Sequence, residues 1–360
     1  MIVLTAAAFL GFLTVLLGAP YARKYLLSSG IYGVDQQKEG KPKVATSGGL
    51  LVLFGFIVSV TFYIGYLQLV GGSSINLELV LAALSSVNII ALIGLMDDIH
   101  IREGEEIERS DTPTEKLWQR FTGGLGENVK DEGSKYIERA GLGQMSKMLF
   151  VLPAALPLIA VGAGSWTMSF PLIGVVHWGI LYPLVLLPVG LLFVSNVVNM
   201  LAGTNGLSAA MSLVASAALG VYALSLGRTE AAIISFGLAA PLLAFMRYNF
   251  YPASLLPGDS LTYLSGAVLF SAMVVGNMEK FGVVIFTPYI IEFFLKLRSG
   301  FKAHSWGILQ EDGTLKPQHE KTYSLTHPLM RRGLTEKQVT IGLTMLEAAV
   351  CIAALAAFTV

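Results

Sequence analysis

The stretch "LELVLAALSSVNIIALIGLMDD", residues 77–98, decides how the whole chain is read. About twenty residues with almost no charge are enough to cross the ~30 Å hydrocarbon core of a bilayer as one helix. They end on two adjacent aspartates, Asp97 and Asp98, where the apolar run stops. Blocks of the same kind recur along the chain, broken by charges, Gly and Pro. The predicted spans are 2–19, 47–68, 77–96, 147–163, 179–198, 206–226, 230–248, 260–276, 280–297 and 338–359. The expected fold is an all-α integral membrane protein of about ten transmembrane helices, one polytopic domain over residues 1–360.

Composition points the same way. Of 360 residues, 54% are hydrophobic and only 13% charged, about half the charged share of a soluble domain. A formal net charge of zero gives no electrostatic ground for nucleic acid as a partner; membrane lipid is the expected surrounding. The single cysteine, Cys351, cannot form an internal disulfide. The opening "MIVLTAAAFLGFLTVLLGAP" carries its positive charges, Arg23 and Lys24, behind the apolar run and not before it. It therefore reads as a first transmembrane helix and not as a cleaved signal.

Orientation follows from Lys and Arg. With ten spans both termini share one side, and loops 20–46, 97–146, 199–205, 249–259 and 298–337 share the other. Of the 24 basic residues, only Arg228 and Lys280 fall on the side of the termini. The positive-inside rule then puts the five loops in the cytoplasm and both termini outside a cell membrane. The polar residues that need explaining also lie on that side, so the five loops are expected to form the active site.

Five constellations stand out there. Asp97 and Asp98 close an apolar helix at its C-terminal, negative dipole end, where carboxylates are disfavoured and a cation would relieve them. The D-D-x-x-D spacing of intramembrane prenyltransferases is absent from "DDIHIRE". In "SNVVNMLAGTNGLSAAMS", residues 195–212, Asn205-Gly206 reads as a helix cap. Asn196 and Asn199 instead share a face inside an apolar helix, where an unpaired amide is costly. Asp259 follows Pro257-Gly258 at the start of the eighth span, as an N-cap or as something more. The loop 298–337 holds three of the five histidines, with Lys302, His304, His327 and Arg331 as binding candidates. Lys38, Lys41 and Lys43 precede a Ser-Gly-Gly suited to phosphate. Together these are oxygen donors for Mg²⁺, which takes one or two protein ligands plus substrate phosphates, and cations for phosphates. They point to phosphoryl transfer between a nucleotide-linked donor and a lipid. A cation-coupled secondary transporter using Asp97, Asp98 and Lys147 is the alternative of another class. Against it, the polar residues cluster at one face and no inverted repeat is visible.

The segments "LMDDIH", "NVVNMLAGTNGLSA", "RYNFYPASLLPGDSLTY" and "THPLMRRGLTEKQV" resemble the polyprenyl-phosphate N-acetylhexosamine-1-phosphate transferases, over about residues 30–345. N-x-x-N-x-x-x-G-x-N-G and R-Y-N-x-x-P look like the dolichyl-phosphate branch. "HPLMRRGLTEKQV" looks like the histidine-bearing loop of the bacterial muramoyl-pentapeptide branch, a mixture that points to an archaeal enzyme. The resemblance implies transfer of N-acetylglucosamine-1-phosphate from UDP-GlcNAc to dolichyl or another polyprenyl phosphate, with UMP released. That is a first membrane step of glycan-lipid assembly such as N-glycosylation. Another UDP-N-acetylhexosamine, or undecaprenyl phosphate, stays open, as does a homodimer.

By resemblance, Asp97 and Asp98 lie near the phosphates. Asn199 and Asp259 coordinate Mg²⁺, with Mn²⁺ as an alternative, and Asn196 lies beside them. Asn205 reads uracil, Lys147 faces the aspartate pair, Lys38 is the basic residue of the first loop, and His327 matches one histidine of the bacterial triplet. The chain also departs from its relatives. Leu256 stands where relatives carry Phe. "FKAHSWG" keeps His304 but lacks its arginine neighbours, so Lys302 or Arg331 would substitute. The stretch 102–144 is a long charged insertion in which "TPTEKLWQRF" reads as a short amphipathic helix.

Overall fold

The computed structural model describes residues 1–71, 75–99, 151–170 and 174–359. Inside a bilayer every backbone N–H and C=O needs an internal partner, so long apolar segments close on themselves as helices. Helices α1 (Ile2–Ser28), α2 (Gly49–Val70) and α3 (Leu77–Asp98) come first, with a two-stranded ribbon, β1 (Tyr32–Val34) and β2 (Lys43–Ala45), between α1 and α2. A 3₁₀ turn and the short α4 (Leu156–Ala160) lead to the hairpin β3 (Thr167–Phe170) and β4 (Gly174–His177). A π-helical turn at Tyr182–Leu186 runs into α5 (Leu187–Met200). Then follow α6 (Leu207–Ser225), α7 (Thr229–Asn249), α8 (Gly258–Val275), α9 (Glu279–Ile285) and α10 (Thr287–Leu297). The hairpin β5 (Gly307–Leu309) and β6 (Leu315–Pro317), the short α11 (Thr326–Met330) and α12 (Glu336–Phe358) complete the described chain.

Eight helices among the described residues are long and apolar enough to cross a membrane: α1, α2, α3, α5 with its π turn, α6, α7, α8 and α12. They match eight predicted spans within a few residues, except that α1 continues to Ser28. There the helix is amphipathic, with Arg23 and Lys24 exposed and Leu26 buried, so charge did not end it. The predicted span 280–297 is two helices. Pro288 offers no N–H, and Thr287 Oγ1 donates to the Val284 carbonyl (2.7 Å), which sets the break at Phe286. The predicted span 147–163 appears from Val151 onward as the 3₁₀ turn and α4, each with Pro in its first turn. Its start, with Lys147, and the insertion 102–144 lie outside the described residues.

Helix α8 is the axis of the bundle. Every residue from Ser260 to Val275 is buried, against α2, α3, α5, α6 and α7. A helix buried all round needs no polar face, yet α8 begins on an aspartate. The outer helices α1 and α12 present Phe9, Leu17, Met345 and Ile352 outward. One end of the bundle holds hairpin β3–β4, the Tyr182–Glu279 hydrogen bond (2.7 Å) and the Asn76–Glu230 bond (2.7 Å). The other holds the ends of α3 and α5, the starts of α6, α8 and α12, and the 298–335 segment.

Candidate active site

The first turn of α8 is set by a carboxylate from another helix. Asp98, with no exposed surface, accepts from the Asp259 N–H through Oδ1 (2.7 Å) and from the Ser260 N–H through Oδ2 (3.1 Å). These are two of the four N–H groups a helix start leaves without intrahelical partners. The carboxylate also sits at the positive end of the α8 dipole, which offsets its place at the negative end of its own helix. Asp98 thus fixes the main chain of the turn that carries Asp259. Gly258 permits this: its φ is +69°, and a Cβ there would stand 2.2 Å from Asp98 Oδ2. Gly94 permits the approach of the two helices, since a Cβ would lie 2.7 Å from the Asp259 carbonyl and from Ser260 Cα.

Asp259 itself is partly exposed, and Asp97 is 5% exposed. The buried Tyr263, one turn along α8, lies within electrostatic reach of Asp259, Asp97 and Asp98. Asn199, at the end of α5, donates from Nδ2 to Thr262 Oγ1 (3.0 Å), and Thr262 Oγ1 donates to the Asp259 carbonyl (3.2 Å). Asn199 is thereby tied to the turn that carries Asp259, and its remaining polar atom is the amide oxygen. Asp259 carboxylate and Asn199 carbonyl are hard oxygen donors, a set that fits Mg²⁺. Asn196 does something else: its Nδ2 donates to the Leu192 carbonyl (2.8 Å) in its own helix. That bond satisfies the amide donor that looked costly inside an apolar helix.

The turn between α5 and α6 is held from three sides. Asn205 receives the Ala253 N–H on Oδ1 (2.9 Å), gives its own N–H to Glu336 Oε1 (2.7 Å), and accepts on its carbonyl from Thr340 Oγ1 (3.0 Å). Gln37 donates to the Gly203 carbonyl (2.7 Å) and accepts from the Gly307 N–H (3.0 Å). Lys38 is bonded to Glu336, paired with Asp35 (3.3 Å) and set over the Tyr251 ring (4.5 Å to the centroid). The expected phosphate ligand of the first loop is therefore already faced by two carboxylates.

In α10 and the 298–335 segment several polar and charged side chains hold backbone. Glu292 on α10, fully buried, accepts from the Leu325 N–H (2.7 Å), Ser324 Oγ (3.1 Å) and Ser305 Oγ (3.4 Å). Lys296, 3.8 Å from Glu292, donates to the Ala303 carbonyl (2.6 Å). His327 is also fully buried. Its Nδ1 accepts from the Tyr323 N–H (3.3 Å), so the proton is on Nε2, which donates to the His304 carbonyl (2.9 Å). Burial, with the nearby Lys296 cation adding to it, pushes this imidazole down to about 4. His327 thus holds the main chain at His304. Arg331 binds Thr322 Oγ1 (2.5 Å) and the carbonyls of Glu320 (2.6 Å) and His319 (3.3 Å). Of the candidates here, Lys302 and His304 are exposed, with the His304 ring 5.2 Å from that of Trp306.

Glu292, Lys296, Gln37 and Glu336 were not among the candidates from sequence. Glu292 and Lys296 carried a signal, an i,i+4 acid–base pair in an otherwise apolar block. Glu336 was hidden in the helix-start pattern Thr335–Gln338, which forms a capping box.

Acid, amide and imidazole groups are thus gathered at one end of a bundle whose helices are long and apolar enough to cross a membrane. Residues 79–277 match the profile of glycosyl transferase family 4. A relative from Sulfolobus acidocaldarius, provisionally named a UDP-N-acetylglucosamine–dolichyl-phosphate N-acetylglucosaminephosphotransferase, is 31% identical over 90% of this chain and 86% of its own. One from Dictyostelium discoideum, carrying that name outright, is 24% identical over 74% of this chain and 64% of its own. A phospho-N-acetylmuramoyl-pentapeptide-transferase from Moorella thermoacetica is 31% identical over 45% of this chain and 53% of its own. The chain belongs to glycosyl transferase family 4, as a multi-pass membrane member of it.

Proposed function

We propose that this protein transfers N-acetylglucosamine-1-phosphate from UDP-GlcNAc to dolichyl or a related polyprenyl phosphate, releasing UMP. The observation that carries the reading is the junction at the start of α8, where Asp98 orients Asp259 and Thr262 ties Asn199 beside it. The names of these relatives supply the donor and acceptor classes. The distribution of Lys and Arg supports a cytoplasmic site with both termini outside.

Asp259 and Asn199 would hold Mg²⁺, which when bound neutralises charge on the donor's pyrophosphate. The chain's own groups then position two phosphates. A lipid phosphate is largely ionised at neutral pH, its second pKa being about 6, so its oxygen can attack the β-phosphorus with little general-base help. Catalysis here is mostly alignment and charge placement. Asp97 lies at the membrane boundary, where a lipid headgroup emerges. Lys147, by resemblance, offsets the acid pair. Asn205 meets the base, and His304 with Lys302 faces the donor's phosphates.

The test incubates purified protein with radiolabelled UDP-GlcNAc, dolichyl phosphate and Mg²⁺, and follows label into the organic phase with and without EDTA. Label that needs metal, with UMP formed, is the expected outcome. Asp259→Ala is expected to fold, to lose at least a hundredfold in rate and to lose its metal response. A fully active Asp259→Ala sinks the metal assignment.

A further inference from the structure

We propose that Glu336 is a positioning residue for the nucleotide: it fixes the main chain of Asn205, with Lys38 as its counter-charge and not as a phosphate ligand. This rests on the reading of Asn205 as the group that meets the base. Three segments far apart in sequence converge here, 35–38, 203–205 and 336–340. Glu336, 2% exposed in the first turn of α12, holds the Asn205 N–H with Oε1 and the Lys38 ammonium with Oε2. Lys38 is also paired with Asp35, itself 6% exposed. An incoming phosphate would have to approach Lys38 beside two carboxylates, which repel it. The cluster is thus better built to hold protein than to hold an anion.

What it holds is the base-facing amide. The N–H, carbonyl and Oδ1 of Asn205 are all engaged, by Glu336, Thr340 and Ala253 respectively. Among the described residues, no acceptor meets its Nδ2. A residue whose main chain is held at two points and whose carboxamide oxygen is held at a third, with the amide Nδ2 left over as donor, suits a ring carbonyl, which a pyrimidine base presents. A charge-assisted hydrogen bond from a buried carboxylate is stronger than a neutral one. It can hold the α5–α6 turn in place before any ligand arrives, and binding then forgoes the ordering cost.

The test uses the full chain in lipid nanodiscs, with UMP titrated calorimetrically and KM measured separately for UDP-GlcNAc and for the lipid phosphate. Glu336→Ala is expected to weaken UMP at least tenfold and to raise the donor KM alike. The KM for lipid phosphate and kcat should stay within twofold. Glu336→Gln keeps an acceptor for the Asn205 N–H, so it should lie within threefold of wild type. Thr340→Val, which removes only the hydroxyl on the Asn205 carbonyl, should weaken UMP about threefold. Adding Lys38→Met to Glu336→Ala should change UMP affinity less than twofold further, because the pair acts as a unit. Wild-type UMP affinity in Glu336→Ala overturns the proposal, as does an equal rise in both KM values. Should Glu336→Ala fail to fold, unchanged affinity in Thr340→Val overturns it. A wild-type protein that binds no UMP and transfers no label overturns the parent reading instead.

Discussion

The start of α8 and the 298–335 segment both gather charged side chains at the same end of the bundle, yet they use them differently. At α8 one buried carboxylate, Asp98, holds the backbone of the turn that carries a second, partly exposed one, Asp259. The placement is rigid because α3 and α8 touch through glycine. In the 298–335 segment and the adjoining α10 the buried or clamped titratable groups are themselves scaffold, including two that the sequence nominates, His327 and Arg331. Glu292, Lys296, His327 and Arg331 all bind main chain, which leaves Lys302 and His304 as the exposed candidates there. The type of a side chain therefore does not separate a residue that touches substrate from one that places it. The separation comes from what its polar atoms already hold.

The largest effect that could break this comparison is at Asp98. Asp98→Ala strands two N–H groups at a buried helix start, at a cost of about 1–3 kcal/mol. It should lower the melting temperature by several degrees and the transfer rate by at least a hundredfold. Asp259→Ala, by contrast, should lose rate while melting close to wild type. An Asp98→Ala protein with unchanged melting and rate would erase the distinction between the holder and the held.

His327 gives the next effect, read through pH. Its folded-state pKa of about 4 lies below the ordinary 6.5, so the folded segment refuses a proton that the unfolded segment accepts. Its contribution is whole above about pH 6.5 and falls as pH drops through that window toward 4, by roughly 3 kcal/mol at most. Hydrogen exchange of amides near His304 and Tyr323, corrected for intrinsic rates, should show protection lost between pH 7 and 5. The same slope in His327→Gln would remove the histidine as its cause. The smallest effect belongs to Arg331, an exposed clamp on the 319–322 turn. Arg331→Met should raise the donor KM less than threefold; a thirtyfold rise with the turn intact would make Arg331 a phosphate contact.

The bilayer explains why so much of the fold could be read from sequence. A spanning segment needs both length and uniform apolarity, and eight of the predicted blocks met that demand as single helices. The break at Phe286 escaped because both halves are equally apolar, and only Pro288 marked it. The end of α1 escaped because Arg23 and Lys24 lie on the exposed face of a helix that continues past them. At the site, Asp97, Asp98, Asn199 and Asp259 were legible as polar groups that an apolar helix does not need. Their division of labour was not, since the partner of Asp98 lies 161 residues away. The role of Glu336 was hidden for the same reason: its partners, the Asn205 N–H and Lys38, come from distant segments.

The contact between Asp98 and Gly258 also restricts how this protein can diverge. Any side chain at position 258 would displace the carboxylate that defines where α8 begins, and any shorter residue at 98 leaves the glycine guarding an empty space. The two positions form one heritable unit split across the chain. Lineages that keep the chemistry should keep both or change both together, however far the helices around them drift.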